Sequence, residues 1–324
     1  MDTTEHSDNR AAPSQPAAAT AEPNAATAET ATATMEAAAA IPAQAADSAE
    51  SRAAAQKPAT AARIYDYYIG GTHNFPADRA AAEAAIAHVP LIRPAARANR
   101  AFLRRAVRHA AEAGIRQFLD IGSGIPTEGN VHEIAQDVAP EARVVYVDID
   151  SVAVAEGLEI LEGNPHATSI RGNLLDTAAI LAHPSVAELI DFDQPVAIIL
   201  CAVLHFVPDD EAAHRAVSEL VAATCAGSRL ILSHGTLPDE TIDQQEKAEF
   251  AAADKLITGM YTRQTTTPVR MRERSDIETF FEGYDLVEPG IVFVPEWHPR
   301  PDDVDEFAGE PHQSAILAGV GIRQ

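Results

Sequence analysis

The chain has 324 residues, with 24 lysines and arginines against 48 aspartates and glutamates, a formal net charge of −24. So acidic a balance argues against a nucleic-acid backbone as substrate and against docking on an anionic membrane, because both need a basic surface. The two cysteines, Cys201 and Cys225, have no metal-ligand spacing, and the chain shows neither a signal-peptide pattern nor an apolar run of spanning length, so a soluble cytoplasmic protein without a metal site is expected.

Residues 1–59 are almost entirely Ala, Thr, Pro, Glu, Ser and Gln. Such a segment cannot bury enough apolar area to offset its ordering entropy, so a disordered tail is predicted, followed by one folded domain over 60–324. Order begins at Ala62-Arg63-Ile64-Tyr65-Asp66-Tyr67-Tyr68-Ile69-Gly70-Gly71-Thr72-His73-Asn74-Phe75. Three tyrosines within four residues, beside a Gly-Gly pair, suit plain core packing or a lid over an adenosine-sized ligand equally well. A short Ala-rich helix is expected over 78–88, broken by Pro90 and Pro94, then a longer one over 95–113. Leu103, Val107, Ala110 and Ala111 form the inward stripe of the second helix, and Gly114 closes it. Arg100, Arg104, Arg105 and Arg108 lie mostly off that stripe and read most simply as a solvated face. Arg97 or Arg100 could instead reach a ligand carboxylate.

From Arg116 onward strands alternate with helices. Strand one covers 117–121 and leads into Gly122-Ser123-Gly124-Ile125-Pro126-Thr127, with Pro126 opening a helix to Val138. Strand two, 143–147, ends in Asp148-Ile149-Asp150, with a helix over 151–162 after it. Strand three, 167–171, ends in Gly172-Asn173-Leu174. Strand four, 195–202, is a continuous apolar run, as expected for a strand buried on both faces. It leads into Val203-Leu204-His205-Phe206-Val207-Pro208, after which Asp209 caps a helix with Ala213, Val217, Leu220 and Val221 inward. Strand five, 229–233, is followed by His234, a helix over 239–257 and an irregular polar stretch over 258–269. Ser275-Asp276-Ile277-Glu278 reads as a capping box. Two last strands, 290–294 and 315–322, close an antiparallel hairpin around a loop holding Trp297 and His298. The pattern predicts an α/β fold with a mostly parallel sheet and helices on both faces.

The chemistry concentrates at strand ends. Gly122 and Gly124 let the backbone turn sharply against a ligand. The dinucleotide fingerprint wants a third glycine where Thr127 stands, and Asp120 at the strand tip would repel a pyrophosphate. A ligand with a cationic head and no phosphate fits better, and S-adenosylmethionine is one. Asp148 lies where an acid binds a ribose diol, whereas Asp150 could as easily cap the next helix.

With these residues in hand, the chain resembles class I S-adenosylmethionine-dependent methyltransferases, and more closely one bacterial S-adenosyl methyltransferase family first described as a domain of unknown function. The likeness runs from about residue 60 to the end. It is carried by Arg63-Ile64-Tyr65-Asp66-Tyr67, Gly70-Gly71, Asn74-Phe75, Asp78-Arg79 and Arg97-Ala98-Asn99-Arg100-Ala101-Phe102-Leu103-Arg104-Arg105. Residues 118–127, Val144-Val145-Tyr146-Val147-Asp148 and Leu204-His205-Phe206-Val207-Pro208-Asp209 complete it. The glycine motif is general to the class; the two upstream blocks belong to the family.

The resemblance implies a Rossmann-like seven-stranded sheet with an antiparallel C-terminal strand, a helical lid over 60–114 and S-adenosyl-L-methionine as cofactor. It implies cofactor contacts at Tyr65, Asn74, Arg100, Asp120, Gly122, Gly124, Asp148, Ile149, Asn173, Leu174 and Ala202. Family members more often carry Asp where this chain has Asn173, whose carbonyl can still accept from an adenine amine. His205, just past strand four, stands where substrate meets cofactor and is the candidate base; a loop or core histidine reads equally well. A small-molecule acceptor is expected. The competing readings are a cofactor-binding sensor without turnover and a nicotinamide oxidoreductase, the latter disfavoured by Thr127 and Asp120.

Overall fold

The computed structural model describes residues 58–126, 129–238, 243–265, 267–301, 303–307 and 309–324. The tail expected over 1–59 falls, up to residue 57, outside the described residues, as does Thr127. Among the described residues three helices come first: α1 (Ala61–Ile69), α2 (Pro76–His88) and α3 (Ile92–Glu112). Strands β1 (Gln117–Ile121), β2 (Arg143–Asp148), β3 (Ala167–Arg171), β4 (Ala197–Cys201) and β5 (Arg229–Gly235) follow, with α4 (Val131–Val138), α5 (Ser151–Ile160), α6 (Thr177–Leu181), α7 (Pro184–Leu189) and α8 (Asp210–Ala223) between them. Helices α9 (Gln244–Gln264) and α10 (Arg274–Thr279) then lead to β6 (Tyr284–Leu286), β7 (Val292–Phe293) and β8 (Ile316–Arg323).

Among the described residues the sheet has eight strands in the order β3-β2-β1-β4-β5-β8-β6, with β7 also paired to β8. The first five pair in parallel, and β8 runs antiparallel to its neighbours. The seven-stranded expectation becomes eight because the edge beside β8 is held by two short strands, one on Gly321–Arg323 and one on Leu317–Ala318. The reversal of strand order between β1 and β4 creates the crevice in which open α/β sheets bind their ligands.

Period-two alternation divides each strand between two cores. Phe118, Val144, Tyr146, Ile199 and Ile231 face α3 and α4, where Phe102, Val107, Ile134 and Trp297 cover them. Leu119, Val145, Ile198, Leu200 and Leu232 face α8 and α10, packing with Leu220, Ile277 and Phe280. A third core joins α1, α2, the start of α3 and α9 through Ile64, Tyr68, Ala82, Ala96, Met260 and Tyr261. This helical layer is anchored at the end of β2, where Asp150 accepts from Arg63 and from the Thr60 hydroxyl, both at 2.7 Å. Arg63 also pairs with buried Asp78 at 2.8 Å.

Several local expectations are corrected. Pro94 does not precede α3 but sits in its first turn, where a missing N–H costs nothing because it has no intrahelical partner. Pro126 does not open the next helix: α4 starts at Val131, and Glu133 accepts from the Asn130 N–H at 2.8 Å to fix that start. Helix α9 runs on through the stretch read as irregular, because Met260 and Tyr261 bury against the cap. The supposed Ser275 capping box lies inside α10, whose N-cap is Glu273.

The arginines of α3 are not one solvated face. Arg105 is buried and donates to the carbonyls of Trp297 and Val294, both at 2.7 Å, and to Asp303 at 2.6 Å. It fastens the 294–311 segment to α3. Arg105→Ala should therefore lower the unfolding free energy by about 2–4 kcal/mol, because it leaves two buried carbonyls without their donor. A urea titration checks this, and an unchanged midpoint would show that Trp297 and Phe102 hold the segment unaided.

Candidate active site

Alternation explains why Asp120 and not its neighbours faces the crevice. It shares a strand face with Phe118, and its register partners are Tyr146 on β2 and Ile199 on β4. Its side chain thus points to the α3 side, with Arg100 near it. Asp120 is 4% exposed, and among the described residues no hydrogen bond reaches its carboxylate. Burial raises its pKa to about 7 against the lowering pull of Arg100, with Asp148 adding to the rise.

The glycine loop is tied to the end of β2. The N–H groups of Gly122 and Ser123 both donate to the Val147 carbonyl, at 2.8 and 3.2 Å, and the Gly124 N–H donates to Asp148 Oδ2 at 2.8 Å. Gly122 has φ +72, and a Cβ there would lie 2.2 Å from Val203, so only glycine lets the β1 and β4 loops meet. At Gly124 nothing lies within 4 Å of where a Cβ would stand, so the loop faces open space. The second Asp148 oxygen accepts from the Asp150 N–H at 2.8 Å. Asp150 itself caps α5 through the Val152 N–H. Asp150 thus caps the helix, as expected from sequence, while Asp148 ties the glycine loop to the end of β2.

Beyond Asp148, Ile149 is 60% exposed at the end of β2, and Leu175 is 51% exposed beyond neighbouring β3. Leu174, by contrast, is buried among Val147, Ile170 and Ile180. Asn173 turns its carbonyl onto the Leu175 N–H at 3.0 Å.

The three tyrosines of α1 have three surroundings. Tyr68 is buried in the cap core. Tyr67 bonds Glu83 on the outside. Tyr65 faces inward, donating to the Ala96 carbonyl and accepting from Asn99, both at 3.0 Å, with Arg100 and Cys201 near it. Asn74 is not brought to the crevice: its amide bridges Asp66 and the Gly71 carbonyl, both at 2.9 Å, and so shapes the turn between α1 and α2.

At the end of β4, Ala202 has φ 54, a left-handed conformation that non-glycine residues rarely adopt. His205 follows in a short 3₁₀ turn, its Nδ1 accepting weakly from the Gly235 N–H at 3.5 Å. Burial lowers its pKa to about 3, with His234 and Arg272 adding to the effect, so its ring is neutral at ordinary pH. Sequence reasoning missed the group behind it. Arg272, fully buried, donates to His234 at 2.8 Å and to the carbonyls of Leu204 and Val207 at 3.1 and 2.8 Å. It pins the His205 turn from behind. No periodic or motif signal marks it, because it stands in an irregular segment.

With this geometry in place, comparison with known proteins is decisive. A family model described as S-adenosyl methyltransferase matches residues 46–324. The chain belongs to the S-adenosyl methyltransferase family. A DUF574 family protein from Streptomyces avermitilis is 39% identical, with a TM-score of 0.75, over 82% of this chain and 98% of that one. A candidate methyltransferase from Thermobifida fusca is 36% identical, with a TM-score of 0.73, over 85% of this chain and 98% of that one. No curated protein matches the chain. The protein is thus a methyltransferase that uses S-adenosylmethionine, and the residues suit that cofactor. A buried carboxylate that takes no hydrogen bond from the described residues fits its ammonium, and exposed apolar side chains beyond Asp148 fit its adenine.

The buried Asp120 has a direct consequence for stability. Its folded pKa, about 7, lies above the ordinary 3.8. The folded state therefore holds more protons between those values, and this group's contribution falls as pH rises from about 4 to about 7. Asp120→Asn should remove that loss. Without ligand the variant should match the original protein near pH 4 and exceed it by up to about 4 kcal/mol above pH 8. Parallel pH dependence of the two in urea unfolding would show that Asp120 is not buried as an acid.

Proposed function

We propose that the protein methylates a small-molecule acceptor held between the helical cap and the carboxyl edge of the sheet, with the cofactor in the β1–β4 crevice. The buried carboxylate of Asp120, its pKa raised by burial and without a hydrogen bond among the described residues, is the observation that carries this reading. Asp120 would receive the cofactor's ammonium group and Arg100 its carboxylate. Asp148 would take the ribose diol with the lone pairs its two backbone contacts leave free. Ile149 and the backbone around Asn173 and Leu174 would border the adenine, and the glycine loop would lie along the chain between.

When bound, S-adenosylmethionine supplies a methyl group already activated by its sulfonium. What remains for the protein is alignment and exclusion of water, and alignment alone can be worth up to about 7–11 kcal/mol. Phe206 beyond β4 and Tyr261 of α9 lie with ring centroids 5.7 Å apart, and Tyr65 and Met271 pack against the same cap core. Such walls favour a largely apolar acceptor. His205 would meet it as a neutral ring. Its low basicity suits it to orienting an acceptor by a hydrogen bond and suits it poorly to removing a proton, so acceptors already nucleophilic without a base fit best.

Isothermal calorimetry tests the cofactor assignment. S-adenosylhomocysteine should bind and NAD should not. Asp148→Ala should weaken S-adenosylhomocysteine roughly ten- to hundredfold, the worth of one or two charge-assisted hydrogen bonds. Equal affinity in a folded variant removes Asp148 from the ribose. If the Tyr65–Phe75 segment of the 60–114 lid closes over the cofactor, hydrogen exchange at Ile64–Phe75 should slow when S-adenosylhomocysteine is added; equal protection with and without it makes that segment plain core.

A further inference from the structure

The left-handed turn at Ala202 has an anchor, and the anchor leads to the cap. The Ala202 N–H is shared between the backbone carbonyl and the hydroxyl oxygen of Ser233, both at 3.0 Å. The Ser233 hydroxyl donates to Asn99 Oδ1 at 2.6 Å. Asn99 Nδ2 donates to the Tyr65 hydroxyl, and that hydroxyl donates to the Ala96 carbonyl, each at 3.0 Å. The direction of every bond is forced. The Ala96 carbonyl can only accept, so the tyrosine proton goes there and Asn99 must donate to Tyr65. The amide therefore turns its oxygen to Ser233, whose hydroxyl proton points at Asn99 while its oxygen receives Ala202.

The chain of bonds crosses four elements: α1 of the cap, α3, β5 and the end of β4. Asn99 and Ser233 are buried, at 3% and 0% exposure, so a broken link leaves a polar group with no water to replace its partner. Strained residues persist only where their surroundings over-determine them, and they gather at functional sites. Here the strained residue stands at the reversal of strand order, beside the Val203 side chain that packs on Gly122.

We propose that Asn99 and Ser233 are positioning residues. They hold the Ala202 turn, and with it the β4 wall of the cofactor crevice, and they make that turn depend on the docking of α1 through Tyr65. Neither residue is assigned a contact with the cofactor; both act through Ala202. The consequence is that cap docking and formation of the β4 wall are one event. The proposal rests on the reading of that crevice as the cofactor site, but one arm of its test does not.

That arm is hydrogen exchange in the ligand-free protein. Tyr65→Phe and Ser233→Ala should each speed exchange of the backbone amides over 202–206, although Tyr65 lies on a different element. Unchanged exchange in Tyr65→Phe overturns the coupling, whatever the protein binds. The second arm is calorimetry with S-adenosylhomocysteine. Ser233→Ala should weaken binding about two- to tenfold, the worth of one hydrogen bond. Combined with Tyr65→Phe it should lose little more than the larger single effect, since both cut the same chain. Adding Ala202→Gly to Ser233→Ala should recover most of the loss, because glycine takes the left-handed turn without an anchor. A merely structural serine would show additive losses and no recovery by glycine, and that result overturns the proposal. Failure of the original protein to bind S-adenosylhomocysteine would instead strike the cofactor assignment and leave the exchange result standing.

Discussion

The site depends on one costly placement: a carboxylate at the tip of a strand covered on both faces. A buried acid is unfavourable in its charged form unless a counter-charge completes it. Arg100 offsets that cost only in part, as the raised pKa of Asp120 records. The remaining demand for positive charge is a property of the crevice itself. On the reading proposed above, that demand favours a cationic head there over a pyrophosphate, which the same strand–loop–helix unit accepts in other proteins.

Around this acid the protein arranges supports of two kinds. Backbone bonds from Gly122, Ser123 and Gly124 lash the loop to β2. Buried ionic groups do the longer-range work: Arg63 joins the cap to the end of β2, Arg105 fastens the late loop to α3, and Arg272 holds the His205 turn. Each guanidinium reaches several acceptors from one position, which a lysine could not do with the same geometry. An acidic chain with few cations thus spends several of them inside, at joints between elements.

Much of this was legible in sequence. The apolar runs of β1, β2 and β4, the aspartate at the tip of β1 and the contrast between Asp148 and Asp150 follow from strand ends and turn chemistry, which are local. What escaped was tertiary. Arg105 and Arg272 look like surface residues until the loops that cover them are placed. Tyr65, Tyr67 and Tyr68 are alike in sequence, yet a helix of 3.6 residues per turn sends them inward against α3, outward to Glu83 and into the cap core. Helix α9 outran its expected end because the cap buries Met260 and Tyr261, and burial outweighs a polar local composition. Ser233 was within reach: it continues the alternation begun by Ile231, so it had to face α3.

The split edge of the sheet has a consequence of its own. Beside β8, β6 ends after Leu286, and the chain leaves the ladder through Glu288-Pro289 and Gly290 before β7 resumes at Val292. An incoming strand would find three residues, then a gap, then two, with a proline and a side-chain bond from His298 to the Glu288 carbonyl in between. Such an edge offers no continuous row of donors and acceptors for a foreign backbone to zip onto. Lateral growth of the sheet into a fibre or a strand-paired dimer is thereby blocked on this side, by shape rather than by charge.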